Sequence, residues 1–443
     1  MGLKYVEQIK SIVLTLLVVL SVTLTFTIWT YTPNYETIKQ APVLNISIAD
    51  QKRVDDVIKP YKMIASRENK MTGSMSPFDL DRVINVMKDW EVSELKLENN
   101  NLSEMDLNEL IHAPDRFTLF FPDDVPFPVY DIILPFSMTN IPENEFDRLI
   151  VNWNRIDNNE LKIYFASSKS KKLYSAIAGN VDMNLLKQEV VSPTANFTQF
   201  TEIERKGRSS LFVTAKDVES IRYTYYLQEI DPNRFRDALF SDPNLVRQSP
   251  VGATNEEYSD GTSLMNVNLL ERTLSFVNPS AETFVPAEPS KLIFDSLDYV
   301  NEHGGWTDEF RFASINPDKQ QIDYQLYLLG YPVFSDETST KITAFWGDPG
   351  IYRYRRPYYT LDLSLAFDTV ISTLPSGEKA SRVMKTVKEL DFNNIDEITT
   401  GYYLTRDDER RLLTLEPSWF YLSNNQWSRI SPDVLGGGKF GLE

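Results

Sequence analysis

Two histidines, several runs of adjacent acids and no cysteine are the chemistry that this chain of 443 residues offers. His112 and His303 stand far apart, with no HExxH or similar spacing around either, so a metal site would need carboxylates for most of its ligands. Thiol catalysis and thiolate metal sites are excluded. Adjacent acids occur at Asp55-Asp56, Asp123-Asp124, Glu256-Glu257 and Asp407-Asp408-Glu409. A glycosidase needs two carboxylates several ångströms apart across a cleft, one with a raised pKa. Neighbouring acids in polar loops do not imply that arrangement, and all four runs read as solvated loop charge. A calcium loop, a Gly-x-Ser-x-Gly elbow and a phosphate-cradling glycine loop are missing too; Gly436 to Gly438 precedes Lys439 without the strand and helix such a loop requires. No catalytic residue, cofactor or metal is expected. His303, ahead of Gly304-Gly305, reads as the C-terminal cap of a helix, where a cation meets free carbonyls.

The run Tyr352-Arg353-Tyr354-Arg355-Arg356-Pro357-Tyr358-Tyr359 interleaves aromatics with arginine. It reads first as an aromatic strand. Tyr352, Arg353, Tyr354, Arg355 and Arg356 are also the candidate partner surface, because Tyr and Arg concentrate at interface hot spots. Stacking on nucleic acid is disfavoured by the net charge of −18.

The elements that carry these residues alternate between helix and strand. Ser76-Pro77-Phe78-Asp79 opens a helix: Ser76 suits the N-cap, Pro77 the first helical position and Asp79 the capping box. Leu80, Val83, Ile84 and Met87 then share one face. Proline-dense 114–142 suggests short strands with irregular joins. From Leu161 the reading turns to strands: Leu161, Ile163 and Phe165 on one face, Ile221, Tyr223, Tyr225 and Leu227 on another. Helices are expected within 181–190, after Asp231-Pro232, after Glu288-Pro289 and from about 378 to 390. A hairpin is expected at 310–328, and closing strands near 397–404 and 411–415. The fold class is α+β, with mainly antiparallel mixed sheets and packed helices. The parts read as a tail 1–10, a membrane helix 11–31, an N-terminal domain 32–155, a central domain 156–280, a C-terminal domain 281–432 and a loose tail 433–443. A helix before a hairpin in both later domains suggests two copies of one unit.

Residues 11–35 carry no charge, and Ile12 to Ile28 are almost all Leu, Val, Ile, Thr and Phe. Roughly 20 such residues cross a hydrocarbon core of about 30 Å. Lys4, Lys10 and the amino terminus outweigh Glu7, which favours a cytoplasmic N-terminus. The apolar stretch is longer than a cleaved signal core, and no small-x-small site follows it. Trp29, Tyr31 and Tyr35 suit a membrane-interface anchor. The expectation is an uncleaved signal anchor, a single-pass protein of the cell membrane with its body outside. The first 31 residues contribute +1, leaving −19 for that body. Ser11 and Thr15, and Ser21 and Thr25, lie four apart and suit lateral association with another membrane helix. The bland alternative is a passive anchor whose hydroxyls bond to their own helix.

The string Ile28-Trp29-Thr30-Tyr31-Thr32-Pro33-Asn34-Tyr35-Glu36 resembles the YycH (WalH) family of Firmicutes, and Gly330-Tyr331-Pro332-Val333-Phe334 resembles an element of that family and of its companion YycI. The resemblance implies three extracytoplasmic α+β domains, a YycI-like partner in a heterodimer, and regulation of a WalK-like sensor histidine kinase in cell-wall metabolism. It implies no catalytic residue, no small-molecule substrate and no nucleic acid. The function expected is a non-enzymatic regulator; the alternative is an anchored wall-binding or wall-hydrolysing protein.

Overall fold

The computed structural model describes residues 13–25 and 48–435, apart from 68–69, 158, 366–369, 388–389 and 432–434. By contacts the chain divides into Met1–Val43 and Leu44–Glu443. In the first unit, 13–25 is helical with exposed side chains. Among the described residues no helix is long and apolar enough to cross a membrane.

The second unit is α+β, with few helices and two large sheets. Alternating apolar residues build the first sheet from β1 (Lys62–Arg67), β2 (Lys70–Ser74), β3 (Glu91–Asn99), β4 (Arg116–Pro126), β5 (Glu145–Asp157), β6 (Glu160–Ser167), β7 (Lys172–Gly179), β8 (Thr198–Arg205) and β9 (Arg208–Thr214). The spatial order is β3-β7-β6-β5-β4-β1-β2-β8-β9, antiparallel throughout. The proline-dense segment, expected as short strands, folds as the long β4 and a helical turn at Phe127–Tyr130. That turn drops Phe127 into a cluster with Phe136, Phe146, Phe165 and Tyr174.

Beyond β10 (Val218–Tyr226) and β11 (Gln228–Glu229), a meander follows: β12 (Arg247–Val251), β13 (Asn255–Ser259), β14 (Leu264–Asn268) and β15 (Thr273–Val277). Next come β16 (Phe310–Asn316), β17 (Gln321–Leu328), β18 (Tyr331–Phe334), β19 (Lys341–Gly347), β20 (Gly350–Pro357) and β21 (Tyr359–Thr360). The chain closes with β22 (Val370–Leu374), β23 (Ile395–Asp407), β24 (Leu412–Ser423) and β25 (Gln426–Arg429). The pair β11–β21 sits where the chain enters and leaves a middle unit, 228–360. Each half of that unit is a helix followed by strands, Pro232–Leu239 before β12–β15 and Pro289–Glu302 before β16–β20, and the halves join edge to edge through β15 and β20. The helix-then-hairpin pattern read from the sequence thus describes two halves of one sheet.

Sheet pairing divides the body differently from the boundaries expected at 155 and 280. Residue 155 lies inside β5, whose pairing with β6 continues to Asp157–Glu160. β10, expected in the central domain, pairs with β24 near the chain's end. Period and turn signals describe a strand without naming its partner, and these partners are far apart in sequence.

The expected helices form at Pro77–Met87, Met183–Leu186, Pro232–Leu239, Pro289–Glu302 and Gly377–Met384, the last of them ending short of the expected 390. The first is not capped as expected. Ser76 makes no side-chain cap, and Asp79 instead accepts from the Ser74 hydroxyl at 2.6 Å and from Arg82 at 2.6 Å. A helix at Glu104–His112 was not foreseen, although Ser103 and Asp106 form a full capping box there.

Candidate functional site

The structure disperses the two histidines. His112 ends its helix and pairs with Glu202 of β8 at 2.9 Å; that partner raises its pKa. His303 caps the Pro289–Glu302 helix: its backbone N–H and its ring Nδ1–H both donate to Tyr299 O at 2.9 Å. Burial lowers its pKa, so the cap is a neutral ring stacked 3.9 Å from Tyr299, and the expected cation is corrected. Gly305, at φ 71°, turns the chain away; a Cβ there would lie 2.3 Å from Ala49 O.

Of the four acidic runs, Asp407-Asp408-Glu409 is exposed at the β23–β24 turn, whereas Asp55-Asp56 lies in the helix Val54–Val57 and Glu256-Glu257 in β13, so these two are not the loop charge expected. Burial pushes the Asp55 carboxyl up, but hydrogen bonds from Arg53 and Lys88 outweigh it and hold it at about 2. Glu256 accepts from Tyr258 at 2.9 Å, and Asp408 meets Arg406 at 2.8 Å. The fourth run corrects the expectation of solvated loop charge as well. Asp123 and Asp124 are 6% and 2% exposed, set in β4 where its register with β5 breaks between Phe120 and Val125. Among the described residues no group of three or more His, Asp or Glu is arranged to hold a metal.

A second buried polar group joins the first sheet to the closing strands. Lys62 of β1 and Glu397 of β23 pair at 3.0 Å, and Glu397 also accepts from the Tyr61 hydroxyl and from Ile398 N at 3.0 Å. Burial pushes the Glu397 carboxyl up; the Lys62 charge and the Tyr61 hydrogen bond outweigh it and hold it low. Two cations approach the Phe120 ring, Lys62 Nζ at 4.9 Å and the Arg148 guanidinium at 4.4 Å. Arg148 in turn pairs with Asp147 at 3.1 Å. Gly377 N donating to Thr214 Oγ1 at 3.1 Å adds a tie from β9 to the last helix. Sequence order could not reveal this joint, because its members lie more than 300 positions apart.

The Tyr–Arg run forms β20, as its composition suggested. Strand alternation splits it: Arg353 and Arg355 are exposed, whereas Tyr354 and Arg356 are buried. Arg356 donates to Gly305 O at 2.9 Å and to Thr307 Oγ1 at 3.1 Å, so it ties the middle unit together. A contact surface on this strand is therefore limited to Tyr352, Arg353 and Arg355. The Arg353 guanidinium rests 5.6 Å from Phe345 and 5.4 Å from Tyr352; Arg355 pairs with Glu271 at 3.1 Å.

In the 13–25 helix the Thr25 hydroxyl donates to Ser21 O at 2.8 Å, the self-bonding of the bland alternative. Thr15 and Ser21 lie in the same helix; Ser11, Trp29, Tyr31 and Tyr35 fall outside the described residues.

Comparison with known proteins accounts for nearly the whole chain. The model of the YycH protein N-terminal domain matches residues 7–194, and that of the YycH protein C-terminal domain matches 208–435. The interval between them contains β8, the strand that leads into the hairpin packed on the closing half. A Bacillus subtilis (strain 168) protein described as two-component system WalR/WalK regulatory protein YycH is 23% identical, over 97% of each chain. The crystal structure of YycH from Bacillus subtilis superposes with a TM-score of 0.75 at 20% identity, covering 87% of this chain and all of that one.

Proposed function

The chain belongs to the YycH family, and from that premise we propose that it is a non-enzymatic regulator of a WalK-like sensor histidine kinase. It sits in the cell membrane with residues 11–31 as a single span, its N-terminus cytoplasmic and its body outside, and it acts together with a YycI-like partner. The observation that carries this reading is the end-to-end relation to a protein described as a WalR/WalK regulator.

It acts by biasing a partner that crosses the membrane with it. A kinase with two conformations shifts by the difference in a ligand's affinity for them, and about 1.4 kcal/mol changes their ratio tenfold. Two parts of the chain supply such contacts. Outside, the aromatic-flanked Arg353 offers planar donors to a carboxylate of a partner. In the membrane, the Ser11/Thr15 and Ser21/Thr25 positions let a second helix approach closely.

Thr15→Leu with Thr25→Leu is expected to weaken regulation while leaving the melting of the body unchanged. Co-purification from membranes reads this directly: the full-length chain retains the kinase and the YycI-like protein, and the double variant retains several-fold less. Equal recovery would remove helix packing from the account. Failure of the full-length chain to retain either protein would remove the function itself.

A further inference from the structure

The Asp123–Asp124 pair has no part in the contacts proposed above, yet it occupies the joint between the first sheet and the middle unit. Asp123 accepts from Ile315 N of β16 at 3.1 Å and from Asp124 N at 2.7 Å, and it pairs with Lys169. Asp124, almost wholly buried, has the Ser167 hydroxyl of β6 beside its carboxylate and no ion pair of its own. Ionised, it would be a buried charge supported by a hydroxyl and by no cation of its own. The charges around it are unfavourable on balance. Asp147 and Glu145 face it from β5 and Asp123 from its own strand. Arg148 and Lys169 are near but engaged, by Asp147 and Asp123 respectively. Lys172 and Tyr174 of β7 act on Glu145. From the middle unit, β16 brings a backbone N–H, while its Arg311 is held by Glu309 and Asp323 of β17 accepts from Ser314 at 3.1 Å.

We propose that Asp123 and Asp124 form a proton-operated latch between the first sheet and the middle unit, closed while Asp124 carries its proton. The latch stands independently of the regulatory role, and rests on the proposed placement of the body outside the membrane only in taking external pH as its stimulus. Burial first, then Asp147, Glu145 and Asp123, outweigh the Ser167 hydroxyl and raise the closed-state acid to about 8. An exposed aspartic acid titrates near 3.9. Opening therefore releases a proton throughout that interval. The opening equilibrium rises about tenfold per pH unit from about 4 to about 8 and levels off above, so the latch is tightest in acid.

The test is hydrogen exchange of the segment 310–316 in the full-length chain, comparing wild type with Asp124→Asn at each pH so that the intrinsic chemistry cancels. The wild-type to variant ratio should climb about tenfold per unit between pH 5 and pH 7.5 and flatten beyond pH 8. A ratio independent of pH overturns the latch. If Asp124→Asn does not fold, Glu145→Gln serves instead: removing one of the surrounding negative charges should move the plateau to lower pH. A plateau that stays in place overturns the proposal equally.

Discussion

Glu397→Ala is expected to destabilise the body by about 3–5 kcal/mol, the usual cost of removing one partner from a buried ion pair. The loss has a local cause. Lys62 is 2% exposed, and without Glu397 its ammonium keeps only the Phe212 carbonyl, at 3.4 Å, and two aromatic faces. The Tyr61 hydroxyl and Ile398 N–H lose their acceptor at the same time. Urea denaturation at pH 7 measures the change as a lower midpoint. Lys62→Met combined with Glu397→Leu should recover most of it, because the apolar pair leaves no stranded charge. The pH dependence has a defined sign. A carboxyl held below its unfolded value stabilises fully above about 4.3, and that contribution is lost as pH falls through the folded value. A single variant costing under about 1 kcal/mol would show that this joint holds nothing together.

Phe127→Ala should cost a similar amount, about 3–5 kcal/mol, through a different mechanism. The ring is fully buried, with the Phe165 and Tyr174 centroids 5.2 Å away, Phe146 at 5.6 Å and Phe136 at 5.7 Å. It comes from the short Phe127–Tyr130 turn, so neighbouring strands cannot slide in to fill the space. The same denaturation experiment reads the loss, and Phe127→Leu should cost less because it leaves a smaller cavity. Equal stability of Phe127→Ala and wild type would mean that the first sheet has its core elsewhere.

Legibility in the sequence followed the range of the signal. Proline at the first helical position marked Pro77, Pro232 and Pro289 as helix starts, and all three begin helices. Alternation and turn residues placed the β16–β17 hairpin, because both signals are local. The Glu104–His112 helix was missed, having only Leu107 and Ile111 as buried positions, although Ser103-x-x-Asp106 announced its cap. Asp123-Asp124 looked like loop charge because two acids side by side usually are. The contrary signal was the apolar run on both sides, Phe117 to Phe121 and Val125 to Phe127, which identifies a strand buried on both faces. Within Tyr352–Arg356, period two already separated Arg353 and Arg355 from Arg356; reading the run as one surface overlooked that. The Lys62–Glu397 joint left no trace in the sequence, since a buried pair between distant strands has no spacing.

The central claim is that this chain shifts the output of a WalK-like kinase, and the most direct measurement is transcription from a WalR-controlled promoter. Cells lacking the chain should show altered promoter output, restored by the full-length chain and not by a chain from which the span, residues 11–31, is removed. Output that is the same with and without the chain would contradict the account.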